Sequence, residues 1–255
     1  MTPRQHWPSR LWLVRHGQSQ GNVAREIADE AGHHEIGIDV RDVDVPLSEL
    51  GHAQAKAAGD WFASLPRDER PEVILSSPYI RTRQTAKIIC EAGALAGGPA
   101  RPIIDERLRE REFGIFDRLT EFGIRERFPD EAAHKAMLGK FYHRPPGGES
   151  WCDVALRLRS FIDTLGREYA GESVMVVTHQ VVILMFRYLL EELTEQEILA
   201  IDRQAEVANC SVTVYEFDDT RGPHGGMRRV LYNCIDHLAA PRLVTAEPDA
   251  PVAPR

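Results

Sequence analysis

An α/β fold with a largely parallel central sheet, covered by helices on both faces, is what this chain predicts. Three observations carry that reading. Apolar or β-branched runs recur at residues 11–14, 73–76, 174–178 and 212–217, each bounded by turn residues. Segments of helical period separate them, and strands alternating with helices imply parallel pairing with a helix layer on each side. With 255 residues, 43% of them hydrophobic, the chain can bury one large core, so a three-layer αβα sandwich is expected.

The elements follow in order. Leu11, Trp12, Leu13 and Val14 form a buried strand that breaks at Arg15-His16-Gly17. Residues 23–45 lack a strong period and carry Arg25, His33, His34, Arg41 and Asp42. A long loop is expected there, covering whatever binds at the strand's end. Ser48 caps a helix with Leu50, Ala53, Ala57 and Trp61 on one face. After residues 73–76 the chain enters a helix at Pro78, running over residues 81–92. A further helix over 149–169 carries Trp151, Val154, Leu158, Ile162 and Leu165 on one stripe, and 181–193 and 195–203 also read as helices. Residues 212–217 and 230–234 flank a long turn over 218–226, as in an edge hairpin. The expected organisation is an extension over 1–10, one domain over 11–237, and a disordered tail over 238–255 that contains four prolines.

Charge and cysteine usage exclude several classes. A net charge of −8 argues against a nucleic-acid surface, which wants a basic patch. Cys90, Cys152, Cys210 and Cys234 are too scattered for a zinc site or disulfide framework, so reduced thiols are expected. No apolar stretch approaches a membrane span; the run 181–190 is short and interrupted by Arg187. The opening residues lack the apolar centre of a signal peptide, and a cytoplasmic location is expected. His33 and His34 are adjacent, with no carboxylate at ligand spacing, so solvated loop residues are expected there rather than metal ligands.

Ligands of open α/β sheets bind outside the carboxyl ends of the strands. His16 stands at such a point and can act as a nucleophile, while Arg15 can hold a phosphate or carboxylate. Arg81, in the first turn after another strand, can point into the same crevice, and His179 directly follows the strand 174–178. The run Leu108-Arg109-Glu110-Arg111-Glu112-Phe113-Gly114 sets carboxylates among arginines. Taken singly, each has a plainer explanation: a polar rim histidine, a solvated helix face, a surface salt-bridge network.

Together they resemble one family. Arg15-His16-Gly17 with Asn22, Ser77-Pro78-x-x-Arg81 with Gln84-Thr85-Ala86, Leu108-x-Glu110 with Gly114, and Val177-Thr178-His179 stand in the order of the histidine phosphatase (phosphoglycerate mutase-like) superfamily. The resemblance runs from about residue 11 to about residue 217, and it implies the phosphoglycerate mutase-like fold. It also implies His16 as the nucleophile that becomes phosphohistidine, Arg15, Arg81 and His179 around the phosphoryl oxygens, and Glu110 as general acid and base. Asn22 would line the same pocket, and Ser19 and Gln180 are further candidates for phosphate or substrate binding. Two arginines suit the charge spread over a phosphoryl group in flight, so no metal and no cofactor are expected.

Departures from the mutase pattern set the expected reaction. The segment Tyr142-His143-Arg144-Pro145-Pro146-Gly147-Gly148-Glu149-Ser150 is compact, whereas similar mutases carry a longer one containing Arg-Arg. Val181 occupies the position of the mutases' asparagine, and Gln180 replaces their glycine, as in fructose-2,6-bisphosphatase domains. Hydrolysis of a small phosphorylated metabolite is therefore expected. A cofactor-dependent phosphoglycerate mutase is the alternative, and an inactive phospholigand-binding module a third reading. Neither the substrate nor assembly as a homodimer is decided by these residues.

Overall fold

Leu11, Trp12, Leu13 and Val14 are all buried, and they alternate between two separate cores because successive strand residues point to opposite faces. The protein is described here by a computed structural model covering residues 6–95, 102–238 and 243–246. Its sheet contains β1 (Arg10–Arg15), β2 (Val73–Ser76), β3 (Ile103–Ile104), β4 (Ser173–Thr178), β5 (Val212–Asp218) and β6 (Gly226–Cys234), in the order β3-β2-β4-β1-β5-β6. Strands β3, β2, β4 and β1 run parallel. β5 and β6 continue the sheet antiparallel.

The helices are α1 (Gln20–Glu30), α2 (Glu49–Ser64), α3 (Ile80–Gly93), α4 (Glu121–Arg127), α5 (Pro129–Tyr142), α6 (Trp151–Glu168), α7 (Gln180–Leu190) and α8 (Glu195–Gln204). On one sheet face Leu11, Leu13, Val174 and Val176 meet Leu158 and Phe161 of α6 and Ile183 and Phe186 of α7. On the other, Trp12, Val14, Met175 and Val177 meet Phe62 of α2 and Ile89 of α3. Each such leucine, isoleucine or phenylalanine stabilises the fold by about 1.5–3 kcal/mol when fully removed from water. The expected αβα sandwich with a mostly parallel sheet is the fold.

Several expectations need correction. The expected loop over 23–45 begins inside a helix, α1, which opens with a capping box in which Ser19 and Asn22 exchange side-chain and backbone hydrogen bonds. Its buried residues are Asn22, Arg25 and Ala28, so the inward face is mostly polar and the apolar period is missing. Helix α3 starts at Ile80, with Tyr79 as N-cap, so Pro78 precedes the helix rather than opening it. Helix α7 takes in Gln180 and stops at Leu190, before Glu192 turns to a φ of 53°. Strand β3 and helices α4 and α5 have no counterpart in the sequence reading.

The ends of the chain pack against the sheet where they are described. Ser9 bonds to Glu172 and Phe217 through its backbone, extending the edge of β1. Of the expected tail, 239–242 and 247–255 lie outside the described residues, whereas Thr245 is hydrogen bonded to Gln54 and Asn209.

Candidate active site

Parallel register brings the site together. Arg15 pairs with Thr178 across β1 and β4, so His16 and His179, one residue further on, emerge side by side. Their ring centroids are 5.2 Å apart, with planes at 64°. Ser76 pairs with Val177 across β2 and β4, which sets Ser77 beside them. Ser77 Oγ shares a 2.8 Å hydrogen bond with His179 Nε2. The three parallel strands thus deliver His16, Ser77 and His179 to one edge, where an open α/β sheet presents its ligand crevice.

His16 is fully buried, and its protonation pattern is fixed locally. Nδ1 lies 2.6 Å from the carbonyl oxygen of Gly17, which can only accept, so Nδ1 carries the hydrogen. In the neutral ring Nε2 then holds the lone pair. The backbone around it is held tightly: His16 N donates to Thr178 O, and Gly17 N donates to Thr85 Oγ1 at 3.1 Å. A side chain on Gly17 would put its Cβ 2.5 Å from the Gly51 carbonyl oxygen, so this glycine permits the loop to lie against the start of α2.

The cationic groups are buried around this point. The Arg15 guanidinium donates to the Val207 carbonyl, and Arg81 lies over the Tyr79 ring at 4.8 Å. Tyr79 meets the His179 ring edge-on at 4.9 Å. Burial, reinforced by Asp42 and Glu112, raises the Tyr79 phenol well above its ordinary pKa, so it stays neutral. Arg81 is also gripped by Asp42, through two hydrogen bonds of 3.0 and 3.1 Å to the carboxylate and one of 2.7 Å to the Asp42 carbonyl.

Glu110 is fully buried and accepts a 2.7 Å hydrogen bond from the Arg111 backbone at Oε1. Its segment is tied to the site by Thr178 Oγ1, which donates to the Leu108 carbonyl at 2.8 Å. It is braced from outside by Glu149, whose carboxylate accepts from Arg109, from Arg157 and from the Glu112 backbone. Gly114 has a φ of 56° and would place a Cβ 2.1 Å from the Pro146 carbonyl oxygen. The glycine of the Leu108-x-Glu110 motif therefore lets the Pro-Pro-Gly-Gly segment close against this loop. Arg111 is buried there, and burial brings its pKa down to about 10.

The remaining candidates are placed as follows. Ser19 caps α1 and lines a cavity of about 20 Å³ shared with Asp42, Arg81 and Asp117. Asn22 is buried at the first turn of α1, its Oδ1 accepting from Ser19 N and Ser19 Oγ. Gln180 hydrogen bonds to Glu206, whose carboxyl is pushed up by burial despite that bond and Arg15. Among the described residues no three His, Cys, Asp or Glu side chains gather as metal ligands. A wider concavity of about 980 Å³, lined by His6, Trp7, Arg167 and His224, contains none of the site residues.

Sequence reasoning missed Ser77 and Tyr79 as site residues, although both lie inside the Ser77-Pro78-x-x-Arg81 motif. It missed Asp42 and Asn209 because only tertiary pairing brings them here. Asn209 Nδ2 donates to the His16 carbonyl at 3.1 Å.

Comparison with known proteins agrees with this geometry. The model of the histidine phosphatase superfamily (branch 1) matches residues 11–228. A 2,3-bisphosphoglycerate-dependent phosphoglycerate mutase of Rhizobium etli is 30% identical over 196 residues, 76% of this chain and 86% of its own. A mycobacterial glucosyl-3-phosphoglycerate phosphatase solved with inorganic phosphate is 26% identical, with a TM-score of 0.65 over 90% of this chain and 99% of its own. YhfR of Bacillus stearothermophilus is 26% identical, with a TM-score of 0.68 over 90% and 98%. With two histidines at the strand ends, a buried carboxylate in a loop tied to them, and a family match over most of its length, the chain belongs to the histidine phosphatase superfamily and is an enzyme acting on phosphate esters.

Proposed function

We propose that the protein hydrolyses phosphomonoesters of small metabolites through a phosphohistidine at His16, in a domain spanning residues 11–237. The observation that carries this reading is the hydrogen bond from His16 Nδ1 to the Gly17 carbonyl. It leaves Nε2 as the nucleophilic nitrogen, beside His179. In the first step the Nε2 lone pair attacks phosphorus and the ester P–O bond breaks, while Glu110 gives its proton to the departing oxygen. In the second, water attacks phosphorus, Glu110 takes the water's proton, and the P–N bond breaks to release inorganic phosphate. Arg15, Arg81 and His179 balance the charge on the phosphoryl oxygens throughout, with Asn22, Ser19 and Gln180 at the margin.

The phosphatase relative at 26% identity and the compact segment 142–150 support hydrolysis. The mutase of Rhizobium etli, at 30%, favours interconversion of phosphoglycerates as the second reading. Measuring phosphate release against phosphoglycerate interconversion separates them. Substituting His16→Ala should abolish turnover without unfolding the protein, and rapid quench with labelled substrate should trap an acid-labile phosphoenzyme in the wild type alone. Undiminished turnover by the alanine variant refutes the mechanism.

A further inference from the structure

Two buried amides grip the loop that carries His16. Gln54 of α2 accepts from Gln18 N through Oε1 at 2.7 Å, and Asn209 donates from Nδ2 to the His16 carbonyl at 3.1 Å. Both residues are fully buried. Each grip is correct in only one orientation of its amide: reversed, Gln54 would set NH2 against N–H, and Asn209 would set oxygen against oxygen. Something must therefore read the far end of each amide.

The segment 243–246 does so. Thr245 Oγ1 accepts from Gln54 Nε2 at 2.8 Å and donates to Asn209 Oδ1 at 2.9 Å. Leu243 O takes a second bond from Gln54 Nε2 at 2.7 Å, and Asn209 N donates to Thr245 O at 2.8 Å. One hydroxyl, accepting on one side and donating on the other, is the complement that both amides need. Cys210, beside Asn209, adds its N–H to the Arg15 and His16 carbonyls from a φ of 55°, a conformation a non-glycine residue adopts only under surrounding constraint.

We propose that Thr245 is a positioning residue: the segment 243–246 is a strap that locks Gln54 and Asn209 in the orientations that hold the nucleophile loop. The strap acts on the backbone of residues 16–18 through these amides, and so sets where Nε2 of His16 points. This inference rests on His16 being the nucleophile. Without the hydroxyl, Asn209 Oδ1 loses its donor in a buried site, and rotation of the amide to find another would break its bond to His16.

The test compares Thr245→Val, which keeps the shape and loses the hydroxyl, with Thr245→Ser, which keeps the hydroxyl, in the full-length protein. Thr245→Val should lower kcat by about tenfold, the scale of a small misplacement of a reacting group, with KM little changed. Inhibition by vanadate should weaken in parallel, and Thr245→Ser should restore both. In nitrogen-15 NMR the His16 imidazole signals should shift in Thr245→Val and return in Thr245→Ser. Unchanged His16 signals in Thr245→Val, or equal effects of the two substitutions, overturn the strap whatever the substrate. A wild type without phosphatase turnover, or a His16→Ala variant as active as the wild type, would instead refute the proposed function, and the NMR comparison would still decide the strap.

Discussion

Glu110 and Glu112 stand two residues apart and differ in their exposure to water. Glu110 is fully buried behind the Thr178 and Leu108 contact, whereas Glu112 is exposed on the outer side of the loop. Partial desolvation, together with Asp117 and Asp42, raises the Glu112 carboxyl, which makes Glu112 the rival candidate for the proton donor. As proton donor, Glu110 should matter most where the leaving oxygen is poor. Glu110→Gln should slow the first step on an alkyl phosphate by roughly the hundred- to ten-thousand-fold typical of general acid–base catalysis. An activated aryl phosphate should lose far less in single-turnover kinetics. Equal losses on both esters would reduce Glu110 to an orienting role, and the same unequal pattern in Glu112→Gln would move the acid there.

At the scale of elements, the segment from α1 to α2 reaches the site through Asp42. Its carboxylate makes a forked pair with Arg81, the geometry that a phosphate would also use, so under the proposed mechanism the two would compete for one guanidinium. Asp42→Asn should tighten product inhibition by inorganic phosphate, by up to about tenfold for each 1.4 kcal/mol of competition removed. A weaker or unchanged inhibition constant rejects the competition. This contact also marks where sequence reading stops. Strands β1, β2, β4 and β5 were legible because their apolar runs face two cores, and the placement of the candidates His16, Arg81 and His179 was legible because they stand at strand or helix ends. Helix α1 was not, since its buried residues include Asn22 and Arg25. Helix α5 fully buries only Phe141, leaves residues such as Lys135 half-buried, and kinks at Gly139, where φ is 78°, so no stripe runs along it. Strand β3 has two residues, both exposed, and is defined by backbone pairing that composition does not encode. Asp42, Ser77 and Asn209 gain their roles from strand register and loop closure, which no spacing along the chain displays.

For the whole molecule, burial of charge on α5 ties stability to pH. Burial, with Arg111 as a further cause, lowers Lys135 to about 8. The folded chain then gives up this proton before the unfolded chain does, so the penalty is fully present below about 8 and disappears as pH rises toward the ordinary lysine value. Stability should rise across that window on this account, while Lys135→Met should raise Tm at pH 7 and flatten the rise. Denaturant titrations from pH 7 to 10 would measure both, and an unchanged slope in the variant would reject Lys135 as the cause.

The central position of β1 has a consequence for synthesis on the ribosome. This strand ends beside His16 and is made before the other five strands of the sheet, yet it pairs with β4 on one side and β5 on the other. Its apolar side chains have no sheet neighbour until residues 173–178 and 212–218 have been made. The nascent chain must therefore keep Leu11-Trp12-Leu13-Val14 from associating with other chains through most of translation, and closure of the sheet around it waits on long-range contacts that fold slowly. A chain released before β4 could make helices α1 to α6 but not the crevice, because the edge that holds His16 and His179 exists only once the first strand is enclosed by β4 and β5.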